Sequence, residues 1–166
     1  MRHDAFCRTV VLLAAHSEKD GAMGVILNRP LRQTIGQGNP ALAAAGLSRL
    51  PLYEGGPVEE KKLILAGWHW SGDGQNFHLH FGLSKERVLD IARSDPGIHL
   101  RAFLGHAGWS PKQLENELSN HAWVFAPMDS QLLGEYDGPD LWLALLGKYH
   151  PELRLLAEAP DSPDFN

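Results

Sequence analysis

The sequence predicts a single α+β domain with a mixed, largely antiparallel sheet and three or four helices. Two observations predict it. Short β-branched apolar runs recur between turn-rich tetrapeptides, and the helical stretches carry their own start and stop signals. These strands and helices do not alternate strictly, which argues against a doubly wound parallel sheet.

Val10-Val11-Leu12-Leu13-Ala14-Ala15 is continuous and apolar, and reads as a buried strand. A polar loop, His16 to Gly21, joins it to a second strand, Met23 to Leu27, so the pair is expected as an antiparallel hairpin. Asn28-Arg29-Pro30 ends that strand. Asn39-Pro40 followed by Ala41 to Ala45 and Gly46 has the cap, first-turn proline and glycine stop of a short helix. Pro51-Leu52-Tyr53-Glu54 reads as a brief strand running into Gly55-Gly56-Pro57. Lys62–Trp70 and Asn76–Phe81 flank Ser71-Gly72-Asp73-Gly74 and predict a hairpin.

Ser84 caps a helix with Val88, Leu89, Ile91 and Ala92 on one face, and Asp95-Pro96-Gly97 stops it. Ile98 to Leu104 alternates as a half-buried strand. Next comes Trp109-Ser110-Pro111-Lys112-Gln113-Leu114. Ser110 suits the cap, Pro111 the first helical position and Gln113 the capping box, with Trp109 and Leu114 as hydrophobic staple. Trp123-Val124-Phe125-Ala126 reads as a further strand. Pro139 opens a last helix with Leu141, Trp142, Leu145 and Leu146 inward and Gly147 ending it. Residues 1–150 form the domain, and 151–166 are expected as a partly mobile tail.

A chain of 166 residues is long enough for one core without staples, burying roughly 70% of its unfolded surface. Cys7 is the single cysteine, which excludes an internal disulfide and suits a reducing cytoplasm. The N-terminus lacks signal-peptide features, and the longest apolar run is too short to span a bilayer, so a cytoplasmic location is expected. The net charge of −5 divides as +2 over residues 1–62 and −7 over residues 63–166. That balance repels phosphate backbones and disfavours direct nucleic-acid binding.

No catalytic set is legible. There is no Gly-x-Ser-x-Gly elbow, and Glu115 and Glu117 lie two apart on a helix, facing different ways. His78 and His80 share one strand face, a spacing able to chelate a cation, but no cysteine pair or matching carboxylate accompanies them. No metal and no cofactor is expected. Gly55-Gly56-Pro57 offers backbone N–H groups to an anion, or is simply a sharp turn. His16, Asn28 and Arg29 bracket the first hairpin, either converging on a pocket at one of its ends or lying solvated in loops.

Taken together, His16, Gly21-Ala22-Met23-Gly24-Val25-Ile26-Leu27-Asn28-Arg29-Pro30, Gly55-Gly56-Pro57-Val58 and Leu104-Gly105-His106-Ala107-Gly108-Trp109 with Gln113-Leu114-Glu115-x-Glu117-Leu118 resemble the YqgE/AlgH family of bacterial proteins. The resemblance runs from about Phe6 to Gly147 and implies a bent sheet closing into a pseudo-barrel. It also implies a cytoplasmic protein, one branch being associated with transcriptional control of alginate production, and it brings no catalytic residue with it. The sequence departs at His106, where a tyrosine is usual, and at Lys112, often glycine.

The candidate binding residues are therefore His16, Asn28, Arg29, Gly55, Gly56, Pro57 and His106. The leading expectation is a non-enzymatic regulatory module recognising a small molecule or a protein. The rival is a small-molecule hydrolase or transferase built around His16, Asn28 and Arg29, since histidine suits proton transfer near neutral pH.

Overall fold

A computed structural model describes residues 3–38, 40–43, 47–74 and 76–153. Its strands are β1 (Val11–Ser17), β2 (Gly21–Ile26), β3 (Pro30–Thr34), β4 (Pro51–Glu54), β5 (Val58–Trp70), β6 (Phe77–Phe81) and β7 (His99–Trp109). The helices are α1 (Ile35–Gly38), α2 (Pro40–Leu42), α3 (Lys85–Ser94), α4 (Gln113–Ser119), α5 (Ser130–Glu135) and α6 (Gly138–Tyr149). The α+β reading holds, with six α-helices among the described residues where three or four were expected. The single turn α1 carries no cap signature of the kind that marks α3, and the short α5 has an aspartate cap, Asp129, that the sequence reading does not take up.

β7 organises the sheet. One edge pairs antiparallel with β5, from Trp68↔His99 to Val58↔His106. The other edge pairs parallel with β4 at Ala102 to Leu104, then antiparallel with β2 at Ala107 to Trp109. β1, β3 and β6 hang from β2, β4 and β5. Among the described residues these three outer strands do not pair with one another, so the mixed sheet stays open and does not close into the expected pseudo-barrel.

Both faces of the central strands are buried. Tyr53, Ile64, Ala66, Trp68 and Phe103 form one core with Leu12, Val25 and Leu27 of the first hairpin. Leu52, Leu65 and Ala102, of opposite parity, form another with Ile35, Leu42, Leu47 and Val88. This is why Phe103, which alternation sets opposite Ala102, is fully buried as well.

Several local expectations hold. β1 and β2 form the antiparallel hairpin, though His16 and Ser17 belong to the strand rather than the loop. β5 and β6 form the second hairpin. Ser84 Oγ accepts the Arg87 N–H and caps α3, whose Val88 and Ile91 are buried while Ala92 is exposed. Of the helix expected over 40–45, α2 is its described part; residues 39 and 44–46, like 154–166 of the tail, lie outside the described residues.

Other expectations are corrected. Pro30 does not merely end β2, since it begins the edge strand β3. β7 continues past Leu104 to Trp109. α4 begins at Gln113, because Lys112 takes φ 63, which no right-handed helix passes through. Only half the capping box forms: Gln113 Oε1 accepts the Ser110 N–H at 2.9 Å, while the Gln113 N–H donates to the Ser110 carbonyl. Trp109 and Leu114 do pack in one cluster, with Ala22 and Ala107. α6 runs beyond Gly147 to Tyr149, its last turn tied down through Lys148 and Tyr149. Trp123–Ala126 is no strand. It follows His121, at φ 58, and precedes Pro127, and it runs along the surface with Val124 and Phe125 exposed.

Candidate functional site

The residues expected to gather around the first hairpin separate. His16 pairs with Ala22 at its closed end, seven residues along the chain from Arg29 beyond the open end, about 23 Å of extended backbone. His16 Nε2 lies 2.6 Å from Glu115 Oε1, a solvent-exposed link from β1 to α4. Hydrogen bonding by the backbone at Glu115, followed by the contact with His16, holds the Glu115 carboxyl below the usual range.

Asn28 is buried and its amide is committed. Oδ1 accepts the Val10 N–H at 2.8 Å, and Nδ2 donates to the carbonyls of Arg8 and Gly138. It joins the chain before β1 to the start of α6. Arg29 Nη1 pairs with Glu54 Oε1 at 3.0 Å.

The structure brings Gly55, Gly56 and His106 together through close backbone packing. A Cβ on Gly55 would stand 2.2 Å from the Gly105 carbonyl oxygen, and one on Gly56 2.3 Å from the His106 carbonyl carbon. These glycines let two backbones touch, and the Gly55 N–H is already given to Leu104 O. Pro57 follows, leading into β5. His106 is largely covered and stands 3.9 Å from Glu59, with Nδ1 lacking a hydrogen bond.

His69, His78 and His80 do meet on the β5–β6 hairpin. Their rings stack, with centroids 4.8 Å apart for His69 and His78 and 5.6 Å for His69 and His80. Near-parallel rings aim their in-plane lone pairs side by side, not at one point. Among the described residues no group of three or more His, Cys, Asp or Glu side chains is arranged to hold a metal ion.

The cavity lies elsewhere. A space of about 340 Å³ opens between β1, α4 and α6, roofed by the segment from His121 to Asp129. Val11, Leu13, Leu114, Leu118, Trp123 and Leu145 are among its walls. Glu117 fixes one side of the roof: Oε2 accepts the indole N–H groups of Trp109 and Trp123, each at 2.8 Å, and Oε1 accepts Gln113 Nε2. Asp129 fixes the other. It caps α5 through the Leu132 N–H and takes Lys148 Nζ at 2.6 Å and the Tyr149 hydroxyl at 2.7 Å. Burial pushes its carboxyl up, but the Lys148, Tyr149 and Leu132 donors prevail and hold it at about 2. His150 Nε2 meets the Phe125 carbonyl at 2.6 Å.

Of the expected residues only Trp109 and Leu114 line this space. The signal that could have found it is the apolar run Trp123–Ala126, whose side chains cover a cavity instead of joining a sheet. Locally the sequence marks Asp129 only as a helix cap, and its ion-pair and hydroxyl partners lie 19 and 20 residues away.

Fold and site together define an α+β protein with a branched mixed sheet and an apolar, ligand-sized cavity beside it. The range of 300–1,000 Å³ is that of small-molecule pockets. The chain belongs to the AlgH-like family, whose model matches residues 1–154. It is 35% identical to a UPF0301 protein of Gluconobacter oxydans and 34% identical to one of Myxococcus xanthus, in both cases over 82% of this chain and 78% of the relative. The solution structure of AlgH from Pseudomonas aeruginosa matches with a TM-score of 0.63 at 29% identity, covering 98% of this chain and 92% of that one. A crystal structure of protein DIP2367 from Corynebacterium diphtheriae shares the fold, with a TM-score of 0.72 at 23% identity over 96% of this chain and 86% of that one.

Proposed function

We propose that this chain is a cytoplasmic, non-enzymatic binding module that takes a small apolar molecule into the cavity beneath residues 121–129. One observation carries the reading: a space of about 340 Å³ walled by aliphatic and indole side chains. Three of the polar side chains that frame it support binding over catalysis, because their roles are structural. Asp129 is engaged by Lys148 and Tyr149, Glu117 by two indoles, and His150 by a backbone carbonyl. A regulatory output, transcriptional control included, then follows from occupancy of the cavity and not from contact with DNA, whose charge the chain's −5 opposes.

Titration with N-phenyl-1-naphthylamine, a neutral apolar fluorophore, tests this. Binding is expected in the micromolar range, with a rise in melting temperature by mass action. Leu13→Trp, which fills the cavity from β1, is expected to weaken binding at least tenfold. Equal binding by this variant, or no fluorescence gain with the native chain, overturns the reading.

A further inference from the structure

β6 is the outer strand of its hairpin. Among the described residues it pairs with β5 and with no other strand, and none of its residues lines the cavity. The phase of its ladder follows from the turn. The Ser71 N–H donates to the Asn76 carbonyl at 2.8 Å, continuing the register that sets Trp70 against Phe77 and His69 against His78. In an antiparallel pair every second opposed couple exchanges both backbone hydrogen bonds. His78 and His80 therefore give their backbone N–H and C=O groups to β5, while those of Phe77, Leu79 and Phe81 point outward along the free edge.

Open edges are ordinarily blunted by lysine, proline or a bulge, because a row of unpaired donors and acceptors is a template for another strand. Phe77-His78-Leu79-His80-Phe81 carries no lysine, no proline and no carboxylate. It is also a palindrome about Leu79. An antiparallel strand of the same sequence, centred on the same residue, sets Leu79 against Leu79, Phe77 against Phe81 and His78 against His80. Those are the pairs that a two-fold axis through Leu79 produces. Every outward backbone group then finds a partner, since the Leu79 couple and both Phe77–Phe81 couples are the ones left unspent by β5. The side chains sort by face in the same register. Phe77, Leu79 and Phe81, partly buried against the core of Trp68 and Phe103, meet apolar side chains like themselves. His78 and His80 meet on the opposite face, where both already stack on His69.

We propose that two copies of this chain join antiparallel through Phe77–Phe81, extending the sheet across a two-fold axis at Leu79. The interface is small, because a strand of five residues covers less than the roughly 1,200 Å² of stable complexes. The dimer is therefore a concentration-dependent one, with a dissociation constant of about 100 μM. It is independent of the apolar cavity and of that functional reading.

Sedimentation velocity from about 10 μM to about 1 mM tests the assembly, and amide hydrogen exchange over the same range tests the strand. The mass is expected to rise toward twice that of one chain. Exchange at Phe77, Leu79 and Phe81 is expected to slow severalfold with concentration, while His78 and His80, already bonded to β5, exchange slowly throughout. Leu79→Pro removes the outward N–H on the axis without taking a bond from the β5 ladder, and is expected to stay monomeric. If that variant does not fold, the native chain decides by its own amides. A single-chain mass throughout overturns the proposal, whether the edge stays open or takes a strand of some other protein. So does a dimer in which the three outward amides exchange as fast as in dilute solution.

Discussion

Lys112 sits at φ 63 immediately before α4. An L-residue there brings Cβ against the following carbonyl, at about 1–2 kcal/mol, which glycine avoids. The frequent glycine at this position in the resembling family thus has a backbone explanation, and the lysine side chain makes no capping hydrogen bond in return. Lys112→Gly is expected to stabilise the fold by about 1 kcal/mol, after the greater chain entropy of glycine offsets part of the gain. Urea denaturation checks it, with Lys112→Ala as control; an equal gain from alanine would place the cause elsewhere. Asn28 teaches the converse. Its position beside Arg29 suggested a ligand contact, yet three backbone groups from two distant segments consume its amide. A side chain's partners are set by topology, and a linear sequence does not display them.

Elements were legible where the signal was local and hidden where the signal was a tertiary contact. α3 announces itself through Ser84 and Asp95-Pro96-Gly97, and the hairpin β5–β6 through its turn. α5 offers only its Asp129 cap, and its six residues gain the rest of their stability from packing against α6. The candidate site fared worse for the same reason. The roof over the cavity has strand-like composition and no strand partner, its indole being held by Glu117. Asp129 joins that roof to both α5 and the end of α6, and this joint is titratable. Its carboxyl falls from an ordinary 3.8 to about 2 in the fold. A depressed pKa contributes stability fully above the unfolded value and loses it as pH falls through the folded one. Unfolding midpoints are therefore expected to fall between about pH 4 and pH 2, and Asp129→Asn to flatten that acid limb. Parallel curves for the two proteins would remove Asp129 from the joint.

At the scale of the whole molecule, the backbone crossing of Gly55-Gly56 with Gly105 lets the β4 arm and the β5 arm meet on one strand. Gly105 has φ 71, and a Cβ there would lie 2.3 Å from the Gly56 carbonyl oxygen. Neither party can yield, both being backbone. Gly105→Ala is expected to destabilise by more than about 3 kcal/mol, read as failure to accumulate as soluble protein. A native-like melting temperature in that variant would show that the crossing is looser than its geometry.

Ala102, Phe103 and Leu104 are paired on one side with Leu52, Tyr53 and Glu54 and on the other with Leu65, Ile64 and Leu63. A segment bonded along both flanks and buried above and below has no private route to solvent. Deuterium can reach its amides only when the strands on both flanks, β4 and β5, let go of it together. The slowest of these amides would then report the free energy of global unfolding, and a molecule bound anywhere on the native form would slow it in proportion to its occupancy.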